Sequence, residues 1–277
     1  MSNLQRPSGS DLPAVPLQIG NVIRASIRIY RDHFADYYKL AFISYLWILI
    51  PIYGWAKFLS ISGLLSRLAY GQVSERPETI NEARRHVNPR LWTFLIAAIL
   101  VSLIAFAFLL GYGIIVGFIF FILGNIFQVS AENVSGIANG IFAILALLAI
   151  LVLVVGIFWL SARLYLTEQV VAINEERVAT KALNRSWRLT KEAVLRILGI
   201  AILAAVITLP ISFAVQIVTY ILQILLISIF PEDSAIYSFL LLIFSLLCSF
   251  AAGALLVPFW QTIKAVIFYH LQGSRQT

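Results

Sequence analysis

Charge is scarce in this sequence. Asp, Glu, Lys and Arg make up 12% of its 277 residues, about half the ~25% of an ordinary soluble domain. Hydrophobic residues make up 61% and the mean hydropathy is +0.92, which excludes a soluble globular chain. Cysteine occurs once, at Cys248 inside an apolar run, so there is no disulfide framework and no cysteine metal cluster. Nucleotide-binding glycine loops are missing, with neither G-x-x-x-x-G-K-[ST] nor G-x-G-x-x-G present. No G-x-S-x-G nucleophile elbow occurs either. The histidines, His33, His86 and His270, are far apart and none stands at metal-ligand spacing from Cys, Asp or Glu. The sequence therefore predicts no catalytic residue, no metal ligand and no cofactor, and it reads as a non-enzyme.

Positive charge is missing from two long regions. No Lys or Arg lies between Leu91 and Ser161, or between Ile197 and Gln261, although Glu132, Glu232 and Asp233 do. The positive-inside rule turns this into an expected topology: basic loops and both termini should face the cytoplasm, with the protein integral to the membrane. The net charge of +7 then belongs to loops facing anionic headgroups, and no nucleic-acid partner is expected. Acidic residues are also missing from the middle of the apolar runs, which argues against a coupled ion pump.

What is present is a series of apolar runs longer than the ~20 residues a spanning helix needs. The fold class expected is all-α: a polytopic helical bundle with amphipathic cytoplasmic surface helices. A disordered tail over 1–16, with Pro7, Pro13 and Pro16, precedes a single membrane domain over 17–277. Spans are expected over 91–128, 139–166, 197–230 and 236–270, with the third bent at Pro210. A short cytoplasmic helix is expected over 78–88. The run 40–70 is broken by Pro51 and Gly54, and proline costs a helix a hydrogen bond. It reads as a hairpin of two short helices turning near Pro51–Gly54. One kinked span is the competing reading.

Two basic helices flank these runs. In 17–38, Arg24, Arg28 and Arg31 share a face by their four- and three-residue spacing. In 174–194, Arg177, Lys181, Arg185 and Arg188 do the same, with Ala182, Leu183, Ser186, Trp187, Thr190 and Val194 on or near the opposite face. Such helices are expected to lie on the membrane surface, facing lipid or a partner. Trp92, Trp159, Trp187 and Trp260 stand where interfacial anchors belong. Residues 26–32 and 186–192 echo one another with two identities and three conservative pairs, which suggests an internal duplication, with chance similarity as the alternative.

Three charges fall in or near the membrane. Lys57 must snorkel, pair or line a cavity, and Arg163 with Glu168 reads as an ion pair at the inner edge. Gly113 and Gly117 form a GxxxG match, which lets helices approach closely and is expected to serve packing within the chain.

The block Ala182 to Glu192, reading ALNRSWRLTKE, resembles the "al-RSW-LTKG" signature of the membrane domain associated with glycerophosphoryl diester phosphodiesterases. The end, PFWQTIKAVIFYHLQ, is similar to that family's closing "Y-x-L-R" segment. PIYGWAK and ARRHVNPRLW look like stand-alone cyanobacterial members. Glu192 departs from the usual glycine and Gln272 from the frequent arginine. The resemblance implies a membrane bundle without the soluble catalytic barrel, in a plasma or thylakoid membrane. The expected role is a structural or partner-binding subunit seated on anionic lipid or on a membrane protein complex. The alternatives are a transporter or permeation component built on the proline-broken spans and, last, a membrane-embedded lipid enzyme.

Overall fold

The computed structural model describes residues 18–128, 135–174 and 176–273. The expected tail 1–16 and the external Glu132 lie outside them. The described residues form α-helices and one 3₁₀ turn: α1 (Ile19–Asp32), α2 (Phe34–Trp47), α3 (Tyr53–Val73), α4 (Ile80–Val87), the turn Asn88–Arg90, α5 (Leu91–Gln128), α6 (Ser135–Leu164), α7 (Thr167–Ile173), α8 (Ala179–Leu189), α9 (Val194–Ile227) and α10 (Ala235–Gly273). The protein is an all-α bundle. Four helices, α5, α6, α9 and α10, are long and apolar enough to cross a membrane, and the chain is membrane-embedded.

The tertiary core lies at one end of these four helices. It gathers the first turns of α5 (Phe94, Ala97), the last of α6 (Leu160, Ala162), the start of α9 (Ile197, Ile200) and the later part of α10 (Ile263, Phe268). α3 runs through the middle. Every residue from Ser60 to Ala69 is buried, which marks a helix surrounded on all sides. Its Ser60, Ser62, Gly63, Ser66 and Ala69 keep it thin enough for neighbouring backbones to come close. A Cβ on Gly63 would strike the Phe94 ring, and one on Gly253 would strike Tyr45.

This base explains why the long helices outreach a bilayer. α10, with 39 residues, is ~58 Å long, against a hydrocarbon thickness of ~30 Å. Buried positions crowd together only from Ala254 to Phe268, so residues 235–253 make the span at ~28 Å and the rest belongs to the base. Toward the other end the apolar side chains face outward, among them Ile114, Phe118 and Phe121 on α5 and Leu147 on α6. Pro210 in α9 and Pro258 in α10 are carried inside unbroken helices.

Several expected boundaries shift. The helix expected over 17–38 ends at Asp32, because the chain turns at His33 (φ −121°, ψ 23°) before α2 begins. The run 40–70 is divided between α2 and α3, joined by a turn with Ile52 at φ 61°, so one continuous kinked helix is not what forms there. The helix expected over 174–194 is shorter, Ala179–Leu189, and Val178 before it is extended (φ −109°, ψ 112°). Arg177 therefore lies outside the helical face it was assigned to. The segment expected as the end of span 139–166 turns at 165–166 into a separate short helix, α7. α4 is closed by a capping box in which Thr79 and Glu82 bond each other's backbone N–H groups, the Thr-x-x-Glu pattern expected of a helix start.

Candidate functional site

The sequence places Arg163 and Glu168 as partners, but the structure separates them. Glu168 Oε2 accepts from Lys264 Nζ at 3.0 Å, and both its carboxylate oxygens accept from Gln261 Nε2 at 3.0 Å. The network continues inward. Gln169, fully buried, donates to Gln261 Oε1 at 3.1 Å and to Ser66 Oγ at 3.3 Å. Lys264 also lies 5.5 Å from the centre of the Tyr165 ring. This chain ties α3, α7 and α10 together in the core, where polar groups must find partners. Ser66, Gln169 and Gln261 carried no signal in the sequence, because their partners lie 92 to 103 residues away.

Arg163 does something else. Its guanidinium carbon lies 5.3 Å from the centre of the Trp159 ring and 4.9 Å from that of Trp187, and the two indoles meet edge to face with centroids 5.3 Å apart. Arg163 Nη1 donates to the Trp187 carbonyl at 3.1 Å. The Arg163 carbonyl in turn accepts from Ser186 Oγ at 3.0 Å and Thr190 Oγ1 at 3.2 Å. That carbonyl belongs to the last turn of α6, where four C=O groups lack helical partners. The Ser-Trp-x-x-Thr pattern of the signature block is thus a clamp that joins α8 to the end of α6. The half-buried Trp187 ring is held in place by Trp159 and Arg163.

The apolar face of α8 is also occupied. Ala182, Leu183, Ser186 and Leu189 are buried, while Lys181, Arg185 and Arg188 are exposed. α1 follows suit, with Val22, Ile23, Ser26 and Ile29 buried and Arg24, Arg28 and Arg31 exposed. Both helices therefore rest their apolar faces on protein, not on lipid, and turn their cations outward. Ser26 bonds back to the Val22 carbonyl of its own helix at 2.8 Å, whereas Ser186 reaches across to α6, so the two echoing segments use their shared serine differently.

Of the other anchors, Trp92 and Trp159 are exposed and Trp260 is half-buried. The GxxxG expectation finds no packing among the described residues: a Cβ added at Gly113 or Gly117 would meet none of them within 4 Å. Close helix approach falls instead on Gly63, Gly156 and Gly253.

Two cavities stand beside these features. One, of about 440 Å³, is bordered by Lys57, Arg84 and Asn88 on its polar side and by Ile43, Trp47 and Leu64 on its apolar side. Lys57 Nζ lies 3.5 Å from Asn88 Oδ1, so it faces the α4–α5 junction at the base. The second, of about 470 Å³, opens between α5 and α6, with apolar walls and with Tyr165, Glu168 and Lys264 at its floor. Arg67, buried in α3, is committed to structure. It forms a two-point ion pair with Glu78, both contacts at 2.7 Å, and donates to the Ala172 carbonyl at 3.1 Å. Among the described residues no group of three or more His, Cys, Asp or Glu could hold a metal ion.

Among tyrosines of the base, burial pushes the Tyr30 phenol up to about 12, with nearby Tyr38 adding to the shift. It also pushes Tyr37 up strongly, with Asp36 adding to it. Tyr30 donates to the Leu255 carbonyl at 2.9 Å, which ties α1 to α10.

Comparison with curated proteins and with solved structures finds no match. A family model described as a domain of unknown function, DUF7847, matches residues 60–271, from the buried half of α3 to the end of α10. This covers the polar network, the clamp and the Glu168–Lys264 floor of the second cavity, and the chain belongs to the DUF7847 family.

Proposed function

We propose that this is a non-enzymatic, membrane-embedded structural or partner-binding subunit whose basic end seats on anionic lipid headgroups. The observation that carries the reading is the cleft between Lys57 and Arg84, whose lining includes no acidic residue. Next to it the turn joining α2 and α3 exposes Leu49 and Ile52, apolar side chains suited to the acyl region beneath a headgroup. Arg24, Arg28 and Arg31 on α1, and Lys181, Arg185 and Arg188 on α8, add further exposed cations. Each such residue near an anionic surface contributes ~1 kcal/mol. In this reading the basic end faces the cytoplasm, by the positive-inside rule, in a bacterial inner membrane. The likeness to the membrane domain associated with glycerophosphoryl diester phosphodiesterases, including its cyanobacterial stand-alone members, is part of this proposal and carries no phosphodiesterase activity with it. A membrane protein complex is the alternative occupant of the basic surface. A permeation role is the second reading, favoured by the apolar cavity between α5 and α6 for a hydrophobic cargo.

The test is native mass spectrometry of the full chain released from nanodiscs with and without phosphatidylglycerol. Wild type should retain the anionic lipid. Lys57→Gln with Arg84→Gln should weaken retention roughly thirtyfold, from ~1 kcal/mol per basic residue and tenfold per 1.4 kcal/mol. Unchanged retention in that variant would sink the cleft. Unchanged abundance and partner recovery in Arg185→Glu with Arg188→Glu would remove the role of α8.

A further inference from the structure

We propose that the cavity between α5 and α6 is a binding site for a single-chain amphiphile with a neutral, hydrogen-bond-accepting head, of the monoacylglycerol class. The room comes from sequence. On α5, Ala97, Ala98, Val101 and Ala105 follow one another at helical spacing along the cavity wall, and three of the four are alanine. Ile157 and Leu160 of α6 face them. The open cavity's volume of about 470 Å³ falls within the ~300–1,000 Å³ of ligand pockets, which combine apolar walls with a few convergent polar groups.

The floor supplies those groups: Tyr165 and Lys264 are donors, and the acceptor Glu168 is already taken up by Lys264 and Gln261. The Tyr165 hydroxyl is buried with no hydrogen-bond partner, although a buried polar group without a partner is costly. Lys264 gives Nζ to Glu168, and an ammonium carries three donors, so capacity remains for an incoming acceptor. Charge decides the kind of head. Lys264 and Glu168 already neutralise one another at 3.0 Å, with Gln261 completing the carboxylate's shell. A carboxylate or phosphate head would leave a net negative charge in a poorly solvated site, which is expensive. An ester carbonyl or hydroxyl satisfies Tyr165 and Lys264 without that cost. This site is separate from the Lys57–Arg84 cleft, whose two cations and lack of acidic lining suit an anionic head, so either can fail alone.

The experiment uses the full chain in nanodiscs with three photoactivatable probes of equal chain length: a monoacylglycerol, a free fatty acid and an alkane. Labelled positions are mapped by mass spectrometry. The monoacylglycerol should label residues 94–109 and 157–168 saturably, and unlabelled monoacylglycerol should displace it. Ala105→Phe, which fills the cavity, should abolish that labelling, while Ile150→Phe on the outward face of α6 should not change it. Tyr165→Phe keeps the ring beneath Lys264 and removes the orphan hydroxyl. It should reduce monoacylglycerol affinity about three- to tenfold, the size of one hydrogen bond, and leave alkane labelling alone. Non-saturable labelling spread over outward residues would mean annular lipid only and overturn the site. Preference for the ionised fatty acid would overturn the neutral-head assignment.

Discussion

The Ser186 hydroxyl donates to the backbone carbonyl of Arg163, at 3.0 Å, while the Arg163 guanidinium lies against the indole of the neighbouring Trp187. One residue of α6 is thus gripped at both its backbone and its side chain by consecutive residues of α8. Thr190 adds a second hydroxyl to the same carbonyl. The clamp fixes where a basic helix sits on a membrane bundle, and its loss should register as lost stability before it registers as lost function. Trp187→Leu should cost about 1–2 kcal/mol, the scale of a desolvated cation–π contact. Ser186→Ala should cost about 1 kcal/mol. Because Ser186 and Thr190 serve one acceptor, the double substitution Ser186→Ala with Thr190→Val should be non-additive. Thermal unfolding in mild detergent, followed by tryptophan fluorescence, reads all three.

The Arg67–Glu78 pair should be less forgiving. Arg67 has side-chain exposure of 10% and Glu78 of 30%, and removing one member of a buried pair strands the other. Arg67→Met should destabilise the protein by about 3 kcal/mol. Arg67→Lys should not restore it, since a lysine cannot make the two-point contact and also reach the Ala172 carbonyl. Full recovery by lysine, in the same unfolding assay, would contradict the geometry.

Glycine substitutions should separate packed from open helix faces. Gly63→Ala drives a methyl into the Phe94 ring and should cost about 1–3 kcal/mol, as overpacking does. Gly113→Ala and Gly117→Ala meet open space and should be neutral, or stabilising by up to ~1 kcal/mol. Destabilisation by either would show that this face of α5 is covered by another chain, and crosslinking would then identify it.

At alkaline pH, Tyr30 should be one source of instability. Its folded value, about 12, exceeds the ~10 of an unfolded tyrosine. Its contribution is therefore complete below about pH 10 and lost as pH rises through about 12. Tyr30→Phe should flatten that part of the alkaline unfolding curve, and an unchanged curve would rule the assignment out.

What the sequence determined by itself is what depends on local composition. Long apolar runs make four potential spans, since only a helix satisfies its own backbone in lipid. Proline at 51 and glycine at 54 broke the run 40–70, and the arginine spacing of α1 and α8 put their cations on one side. Tertiary structure decided what those helices rest on. The apolar faces of α1 and α8 read as lipid-facing because a helical wheel cannot tell lipid from protein, and both are covered by the base. Glu168 took Lys264, ninety-six residues away, over Arg163 nearby, because α7 and α10 pack side by side while Arg163 is turned toward two indoles. The polar floor of the α5–α6 cavity likewise exists only in three dimensions, where Tyr165, Glu168 and Lys264 meet. Pairings across such distances leave no periodicity in the chain. They are set by which helix faces fill the same volume.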